Sequence, residues 1–301
     1  MNLKRYLIVN ADDFGMTPRV NAAILRATKE GVLTTASLMV AEPAWEEAVR
    51  IALNTPSLGV GLHVATTYDR AVSTRNDIPH IVDSNGRFER NPLKVGLKYA
   101  FSKNAQKDLK REMEAQFERF ASTGLPWDHV DGHQHFHMHP TVFKFLLDLC
   151  DRFGAHRLRV PQEDVRAHLR GGGDGLSPVT IGAWILQTLC KRNRKTLLAR
   201  KTLGGKPVFL CDQVYGDFQS GNMHRDYVLK TLERLEGITN EIYFHPGTDY
   251  ARKLPSDQQS DEIRDVELRA LLSPEVKAKI ASLGLTSGTY AEIEAMSRSQ
   301  P

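Results

Sequence analysis

The 301-residue sequence contains little cysteine and no long hydrophobic run. Its three cysteines, Cys150, Cys190 and Cys211, are odd in number and widely spaced, which argues against a disulfide framework. No stretch of about 18 apolar residues occurs, so we expect no membrane-spanning helix. The apolar stretch near the N-terminus is too short for the core of a signal peptide, and acidic residues follow it at once. These absences favour a cytoplasmic protein.

Acidic residues are missing from one segment of the chain. Between Gly175 and Cys211 there is no Asp or Glu, whereas seven Lys or Arg residues occur there. Elsewhere acidic residues outnumber basic ones, so the net charge of +4 comes from one local patch. A single patch does not indicate general nucleic-acid binding, and we expect no nucleic-acid partner.

Internal repeats and low-complexity tracts are also lacking, and the proportions of hydrophobic and charged residues, 41% and 25%, are those of a globular protein. The apolar run Leu7–Asn10, a helical pattern closed by Gly31 and the apolar run Thr34–Val40 predict a strand, a helix and a strand. The same alternation continues along the chain, which predicts six to eight strands separated by helices. Further strands are expected at residues 58–64, 127–130, 157–160, 208–210, 241–244 and 285–289, and helices at residues 45–54, 105–123, 140–153, 224–235 and 261–272. Residues 69–92 are expected to form a long loop.

The glycine-rich turn of dinucleotide-binding proteins is missing after the first predicted strand, which argues against an open doubly wound sheet. We therefore predict a single-domain α/β fold over residues 1–301, a distorted, TIM-like (β/α) barrel of six to eight strands. The apolar and basic residues at about 165–206 are expected to form a helical insertion in this barrel.

Four predicted strands end in side chains that bind metals or transfer protons. Asp12 and Asp13 follow the first strand, His63 ends another, residues 131–139 follow a third, and His245 follows a late one. The carboxyl ends of parallel strands converge on one face of a barrel. We therefore expect these side chains to form one site. In an extended backbone Asp12 and Asp13 would point to opposite sides, so that one binds a metal and the other contacts a water.

Each of these groups also has a purely structural explanation. Asp12 and Asp13 are residue types that favour turns and helix caps, and an isolated His63 is typical of a core histidine bonded to backbone. The histidines at every second position from His133 to His139 face one way if the chain is extended. If the chain turns there into a helix, one or two of them converge, and adventitious metal binding by a solvated loop is the alternative.

The combination of imidazole and carboxylate groups predicts metal-assisted hydrolysis. Two imidazoles and one carboxylate leave positions on a metal ion open for water and for a substrate carbonyl. Asp12 would accept the proton of the water, and His245 would protonate a leaving amine.

Four segments carry a resemblance to a known family: Asn10–Gly15, Gly61–His63, His129–His137 and His245–Gly247. In order and spacing they resemble the YdjC-like carbohydrate deacetylases, over most of the chain. This resemblance implies a distorted (β/α) barrel, one divalent metal ion and removal of N-acetyl groups from amino sugars. Imidazole and carboxylate ligands suit Zn²⁺, whereas family members often bind Mg²⁺, so the metal is left open between the two.

By this resemblance the metal ligands are Asp13, His63 and His133, the general base is Asp12 and the general acid is His245.

Three further residues are predicted to contact the substrate: His135, His137 and Arg159. The two histidines match the rest of the family's histidine run. Arg159 could bind an anionic intermediate or a substrate hydroxyl, and it could equally be an arginine at a strand end that pairs with an acid.

A narrower resemblance is carried by Ser37–Ala44, Gly86–Phe88 and His135–Val142. These segments resemble the hopanoid-biosynthesis-associated branch of the family, whose members are taken to deacetylate an N-acetylglucosaminyl hopanoid. The branch implies a lipid-linked amino sugar as substrate. The alternatives are a deacetylase of soluble chitooligosaccharides, another metal hydrolase such as a phosphoesterase or glycosidase, and a non-enzymatic metal-binding protein.

The acid-free segment supports a lipid-linked substrate independently. Its apolar part contains Trp184 and precedes a basic cluster formed by Lys191, Arg192, Arg194 and Lys195. Such a segment can lie on an anionic membrane surface, although it is too short to span a bilayer. The alternative is a helix packed on the barrel with a solvated basic end. We predict peripheral contact with the inner face of the cytoplasmic membrane; the oligomeric state is left open, a homodimer included.

Overall fold

The structure, a computed structural model, describes residues 4–163, 178–247 and 266–299. The strands are β1 (Arg5–Phe14), β2 (Thr35–Leu38), β3 (Gly59–Val64), β4 (Val130–Gly132), β5 (Thr202–Leu203), β6 (Lys206–Pro207), β7 (Gln213–Tyr215), β8 (Thr239–Phe244) and β9 (Leu285–Ser287). The helices are α1 (Pro18–Glu30), α2 (Trp45–Leu53), α3 (Pro92–Phe101), α4 (Lys103–Ser122), α5 (Pro140–Phe153), α6 (Pro178–Arg200), α7 (Arg225–Glu233), α8 (Val266–Leu272), α9 (Pro274–Ser282) and α10 (Tyr290–Arg298). A 3₁₀ helix, His133–Met138, follows β4.

Seven strands form one curled sheet in the order β4-β3-β2-β1-β8-β7, with β9 paired to β1. All of these pairings are parallel. Isolated bridges extend the sheet beyond β4, since Val130 pairs with Leu158 and Arg157 pairs with Phe209. Phe209 lies just before β7, which is the edge of the sheet opposite β4. The bridged segments therefore lead from the β4 edge towards the β7 edge. The prediction of a distorted (β/α) barrel is confirmed as a curled half-barrel flanked by helices.

The first strand and helix show how the sequence produces this architecture. β1 is buried over nine of its ten residues, as expected for a central parallel strand covered on both faces. In α1 the Thr17 hydroxyl oxygen accepts a hydrogen bond from the Val20 amide at 3.2 Å, and Pro18 occupies the first turn. The apolar side chains Val20, Ile24 and Ala27 recur at helical spacing and are buried against the sheet. The predicted βαβ unit is therefore confirmed.

Six of these helices and strands were not predicted, namely α3, α9, α10, β5, β6 and β7, and two predicted strands, at residues 157–160 and 208–210, are reduced. α3 begins directly after the loop that the sequence suggested for residues 69–92, and Asn91 caps it by accepting hydrogen bonds from the amides of Leu93 and Lys94. β7 has only three residues, too few to give a pattern. The predicted strand Arg157–Val160 forms isolated bridges, because it pairs with each neighbour at a single position.

α6 provides the helix that was predicted within 165–206; residues 165–177 of that insertion lie outside the described part of the chain. Its inner face includes the buried Cys190, Asn193 and Leu197. Of the predicted membrane-contact residues, three are exposed: Lys191, Arg192 and Lys195. Arg194 is partly buried and donates a hydrogen bond to the Cys211 carbonyl at 2.8 Å. The side chain of Trp184 lies outside the described residues. Within the described ranges, the helices are all too short or too polar to cross a bilayer.

Candidate metal centre and active site

The end of β1 is bent, and two adjacent carboxylates reach the same site. The register between β1 and β2 shifts between Ala11 and Phe14, and Asp13 has a left-handed φ of 65°. A bulge of this kind disrupts the strict alternation of side chains. Asp12 and Asp13 are both buried, and each has a carboxylate oxygen close to His63. The opposite orientation expected for an extended backbone is therefore not what the structure shows.

Asp13, His63 and His133 meet at the carboxyl ends of β1, β3 and β4. Each offers one ligand atom, and these atoms all lie within 4.8 Å of one another. Asp13 Oδ1 is 3.2 Å from His133 Nδ1 and 3.6 Å from His63 Nε2. The structure thus brings together the three residues predicted as metal ligands.

The second ring nitrogen of each histidine faces another carboxylate. His63 Nδ1 is 2.8 Å from Asp131 Oδ1, and His133 Nε2 is 3.1 Å from Asp69 Oδ2. A carboxylate behind an imidazole fixes the tautomer and turns the opposite nitrogen towards a metal. One carboxylate oxygen and two imidazole nitrogens are a donor set that fits a divalent cation. We call Asp13, His63, His133 and Asp69 the histidine cluster.

The charges in the histidine cluster raise the pKa values of both histidines and lower the pKa of Asp13. Burial alone would lower the pKa of His133, but Asp69 and Asp13 outweigh it and raise the pKa to about 9. Burial opposes ionisation of Asp13, yet the hydrogen bond and charge of His133 lower its pKa. Burial likewise opposes protonation of His63, and the neighbouring Asp131 is the main cause of its raised pKa. The cluster therefore favours a bound proton or a bound cation.

A second group of charges is centred on Arg159, whose side chain is completely buried. Its two terminal nitrogens donate to the two carboxylate oxygens of Asp12, each at 2.8 Å. The same side chain lies 2.8 Å from Asp131 Oδ2 and donates from Nε to Glu241 Oε1 at 2.8 Å. We call these four residues the arginine cluster. Of the two interpretations of Arg159, the structure shows the arginine that pairs with acids.

The arginine cluster keeps its carboxylates ionised. Burial alone would raise the pKa of Asp12, but the Arg159 guanidinium outweighs it and the pKa is lowered. The pKa of Asp131 lies well below its usual range because Arg159 and then His63 outweigh the same burial effect. The three carboxylates in turn raise the pKa of Arg159 against the effect of burial. Asp12 is therefore an anion at neutral pH.

Neutral side chains on β1 and β2 fix the position of these carboxylates. Asn10 Nδ2 donates to Asp12 Oδ1 at 2.8 Å and to Ser37 Oγ at 2.9 Å. Ser37 donates in turn to Asp131 Oδ2 at 2.8 Å, and Thr35 donates to Asn10 Oδ1 at 2.6 Å. The sequence contained a signal for this network, since polar residues at buried strand positions need hydrogen-bond partners.

His245 follows β8 and approaches Asp12 from the other neighbour of β1. Its Nε2 is 3.8 Å from Asp12 Oδ2, and its Nδ1 is 3.4 Å from Ser220 Oγ. Its backbone amide donates to Glu267 at the start of α8. The predicted base and the predicted acid therefore face each other, although no pattern in the sequence indicated Ser220 or Glu267.

The remaining histidines of the run have separate partners. His135 has a left-handed φ of 53°, so the run is neither an extended strand nor a regular helix. His135 Nε2 lies 2.9 Å from the Tyr243 hydroxyl oxygen, whereas His137 Nε2 donates to the Arg159 carbonyl at 3.0 Å. Burial, with His135 beside it, lowers the pKa of His137 to about 3, so His137 is neutral. Of these histidines, His133 is the one that joins the histidine cluster.

Comparison with known proteins identifies relatives along most of the chain. A family model described as "YdjC-like protein" matches residues 6–282. A carbohydrate deacetylase of Brevibacillus brevis is 41% identical over 301 aligned positions, covering 95% of this chain and 99% of the relative. A carbohydrate deacetylase of Geobacillus stearothermophilus is 33% identical, covering 96% of this chain and 98% of the relative.

Among solved structures, a crystal structure of an Enterococcus faecalis V583 protein, named for a proposed role in cellobiose-phosphate cleavage, has the same fold. Its TM-score is 0.70 at 23% sequence identity, and the match covers 96% of this chain and 99% of that chain. The family model spans most of the sequence, and both deacetylase relatives are covered almost completely. The chain belongs to the YdjC-like protein family.

Proposed function

We propose that the protein is a metal-dependent hydrolase that removes the N-acetyl group from an N-acetylated amino sugar. Its relatives along the whole chain are carbohydrate deacetylases. The observation that supports this chemistry is the meeting of Asp13, His63 and His133 beside Asp12 and His245 at one end of the sheet. Metal-assisted amide hydrolysis needs these components: a cation site, a base and an acid.

Asp13, His63 and His133 would hold the metal ion. A bound divalent cation supplies Lewis acidity, which polarises the acetyl carbonyl and makes a water easier to deprotonate. The hydrogen bond between His63 Nδ1 and Asp131 orients the His63 ring for this role, and the Asp69 carboxylate lies 3.1 Å from His133 Nε2. The ligand types suit Zn²⁺ and are compatible with Mg²⁺.

Asp12 would act as the general base. Its lowered pKa keeps it ionised, and therefore able to accept a proton, throughout the neutral pH range. Its hydrogen bonds from Arg159 and Asn10 hold the carboxylate in one position, so that the proton of the attacking water is taken up at a fixed place.

His245 would deliver a proton to the leaving amine. Its Nε2 lies 3.8 Å from Asp12 Oδ2, so base and acid serve the same reacting carbon. A protonated imidazole is a hydrogen-bond donor that can pass its proton to the amine as the C–N bond breaks.

His135 and His137 each have a buried Nδ1 with no hydrogen-bond partner among the described residues, but His135 is the more exposed of the two, at 7% against 1%. We therefore assign His135 Nδ1 to a sugar hydroxyl. His137 and Arg159 are engaged by protein groups, and we assign them to positioning the catalytic groups instead.

We further propose an N-acetylglucosaminyl hopanoid as the substrate, with peripheral contact at the cytoplasmic membrane. This proposal depends on the resemblance of residues 37–44, 86–88 and 135–142 to the hopanoid-associated branch. The exposed Lys191, Arg192 and Lys195 of α6 would supply positive charge towards an anionic membrane.

The direct test is acetate release by protein loaded with Zn²⁺ or Mg²⁺. We expect acetate from N-acetylglucosaminyl hopanoid, less from N,N′-diacetylchitobiose, and none after chelation. Acetate from neither substrate would contradict the deacetylase proposal. Acetate from chitobiose alone would contradict the lipid-linked substrate and leave the deacetylase proposal standing.

The matched variant is Asp12→Asn, which preserves the shape of the side chain but not the base. We expect kcat to fall by about 10²–10⁴-fold, while the bound metal measured by elemental analysis is unchanged. A non-enzymatic metal-binding protein would release no acetate, either as the native chain or as the variant.

The α6 contact has its own test. The triple variant K191E/R192E/K195E should lose binding to anionic liposomes and keep its activity on chitobiose. Unchanged liposome binding would reject α6 as the contact.

A further inference from the structure

α3 carries a row of exposed apolar side chains outside the candidate active site. Leu93, Leu97 and Phe101 follow one another at four-residue spacing, and they are 71%, 52% and 81% exposed. This spacing places neighbouring members of the row on one face of the helix. Several large apolar side chains gathered on one exposed face indicate a surface that contacts another molecule.

The opposite face of α3 fixes the helix near the candidate site. Val95 and Tyr99 are buried, and the Tyr99 hydroxyl donates to the Thr66 carbonyl at 2.7 Å. The Tyr99 ring also packs against Phe136, with ring centroids 6.1 Å apart. Thr66 follows β3, and Phe136 belongs to the 3₁₀ helix after β4. α3 therefore covers loops at the end of the sheet that holds the histidine cluster.

Along residues 90–107, which carry the apolar row, every charged side chain is basic. From Arg90 to Lys107 the sequence contains no Asp or Glu and five basic residues. All five basic side chains are exposed: Arg90, Lys94, Lys98, Lys103 and Lys107. A helix with an apolar face bordered by lysines is the pattern of a helix that lies in the interface of an anionic bilayer.

We propose that α3 docks on an anionic lipid bilayer, with Leu93, Leu97 and Phe101 entering between the headgroups and the lysines contacting lipid phosphates. A second copy of the chain fits this surface less well. A twofold dimer through α3 would place the helix against its own copy, so basic side chains would face basic side chains. A bilayer with anionic headgroups satisfies both the apolar row and the positive charge.

Docking through α3 would bring the end of the sheet that holds the histidine cluster towards the membrane. This inference deepens the proposed function, because it gives a lipid-linked substrate a short path to the site. The biological purpose of docking depends on the proposed function, but docking itself does not, since vesicle binding requires no turnover.

The test is co-sedimentation of the full chain with vesicles of phosphatidylcholine, with and without phosphatidylglycerol. We expect binding that requires phosphatidylglycerol and that falls by about tenfold or more in L93S/L97S/F101S and in K94E/K98E. Leu53→Ser is the matched control, because Leu53 is an exposed apolar residue (58%) on α2. It should bind vesicles as the native chain does. All variants should keep the native circular dichroism spectrum and their activity on chitobiose.

Three results would overturn the proposal. They are failure of the native chain to bind phosphatidylglycerol vesicles, binding of the α3 variants as strong as that of the native chain, and a loss of binding in L53S as large as theirs. Gel filtration decides the rival occupant: a native dimer that becomes monomeric in L93S/L97S/F101S, without vesicle binding, would identify a second copy on α3. A chain that binds vesicles but releases no acetate would retain the docking surface and lose the proposed function.

Discussion

The arginine cluster and the histidine cluster lie side by side, yet their charges are balanced in different ways. The arginine cluster contains three carboxylates around a guanidinium that belongs to the chain and stays charged at every physiological pH. The histidine cluster contains two carboxylates and two imidazoles, so its positive charge depends on a proton or on a bound ion.

This difference separates structural from exchangeable charge. Burying an ionised carboxylate costs free energy unless a positive charge is paired with it. In the arginine cluster this positive charge is the permanent guanidinium, whereas in the histidine cluster it is a proton or a metal ion that can be exchanged. We therefore expect changes in the arginine cluster to affect folding, and changes in the histidine cluster to affect the response to metal ions.

The largest expected effect is that of Arg159→Met. Removing the guanidinium leaves three buried carboxylates without a cation, and we expect the free energy of unfolding to fall by about 3–5 kcal/mol in urea titrations. Arg152→Met is the control, since its ion pair with Glu114 is exposed and should contribute at most about 1 kcal/mol.

If Arg159→Met does not fold, Arg159→Lys retains the charge with fewer hydrogen bonds and should show a smaller, measurable loss. Native stability in both Arg159 variants would remove the structural role that we assign to the arginine cluster.

Metal removal should act through the histidine cluster. At a free metal concentration about 100-fold above Kd, the metal should stabilise the native chain by roughly 2.7 kcal/mol, seen as a higher melting temperature than with chelator. Asp13→Asn should abolish most of this difference. A variant that responds to metal as the native chain does would exclude Asp13 as a ligand.

Asp131 belongs to the arginine cluster and also orients His63, so Asp131→Asn tests the boundary between the clusters. Loss of the carboxylate behind a histidine ligand typically weakens metal affinity by about 10–100-fold. Isothermal titration calorimetry should show this loss even where the variant folds normally. Unchanged affinity would mean that the two clusters are independent at this residue.

Glu163 extends the comparison to a buried carboxylate that has no cationic partner among the described residues. Burial and then Asp217 raise its pKa to about 7, against hydrogen bonds from the backbone amides of residues 216–218. Because this folded-state pKa lies above the unfolded value of about 4.3, its stabilising effect is complete at low pH and is lost as the pH rises through about 7.

The variant Glu163→Gln should remove that loss. Between about pH 5 and about pH 8, the native free energy of unfolding should fall by roughly 2 kcal/mol more than that of the variant. If the free energies of unfolding of the two proteins changed equally with pH, Glu163 would be ionised over the whole range from about pH 5 to about pH 8.

The sequence predicted the site better where residues follow long strands. β1, β3 and β8 are buried runs with polar residues at their ends, so the sequence alone predicts that Asp12, Asp13, His63 and His245 lie together. The reason is topological, since the ends of parallel strands must share an edge.

The partners of these residues were harder to predict. Asp69 lies in a long loop whose course depends on tertiary contacts, and nothing in its neighbourhood indicates that it reaches His133. α3 was missed because the sequence suggested a loop up to its first residue, although Asn91 followed by Pro92 is a cap signal. The effect of the bulge on Asp13 was also outside what alternation along a strand can show.

The bulge at the end of β1 affects which mutations the protein tolerates. Two neighbouring codons supply one acid to the arginine cluster and the next to the histidine cluster. Loss of one residue here would restore a regular pleat and turn one of the two side chains out of the pocket. We therefore expect single-residue deletions at this point to be less tolerated than substitutions that keep the chain length.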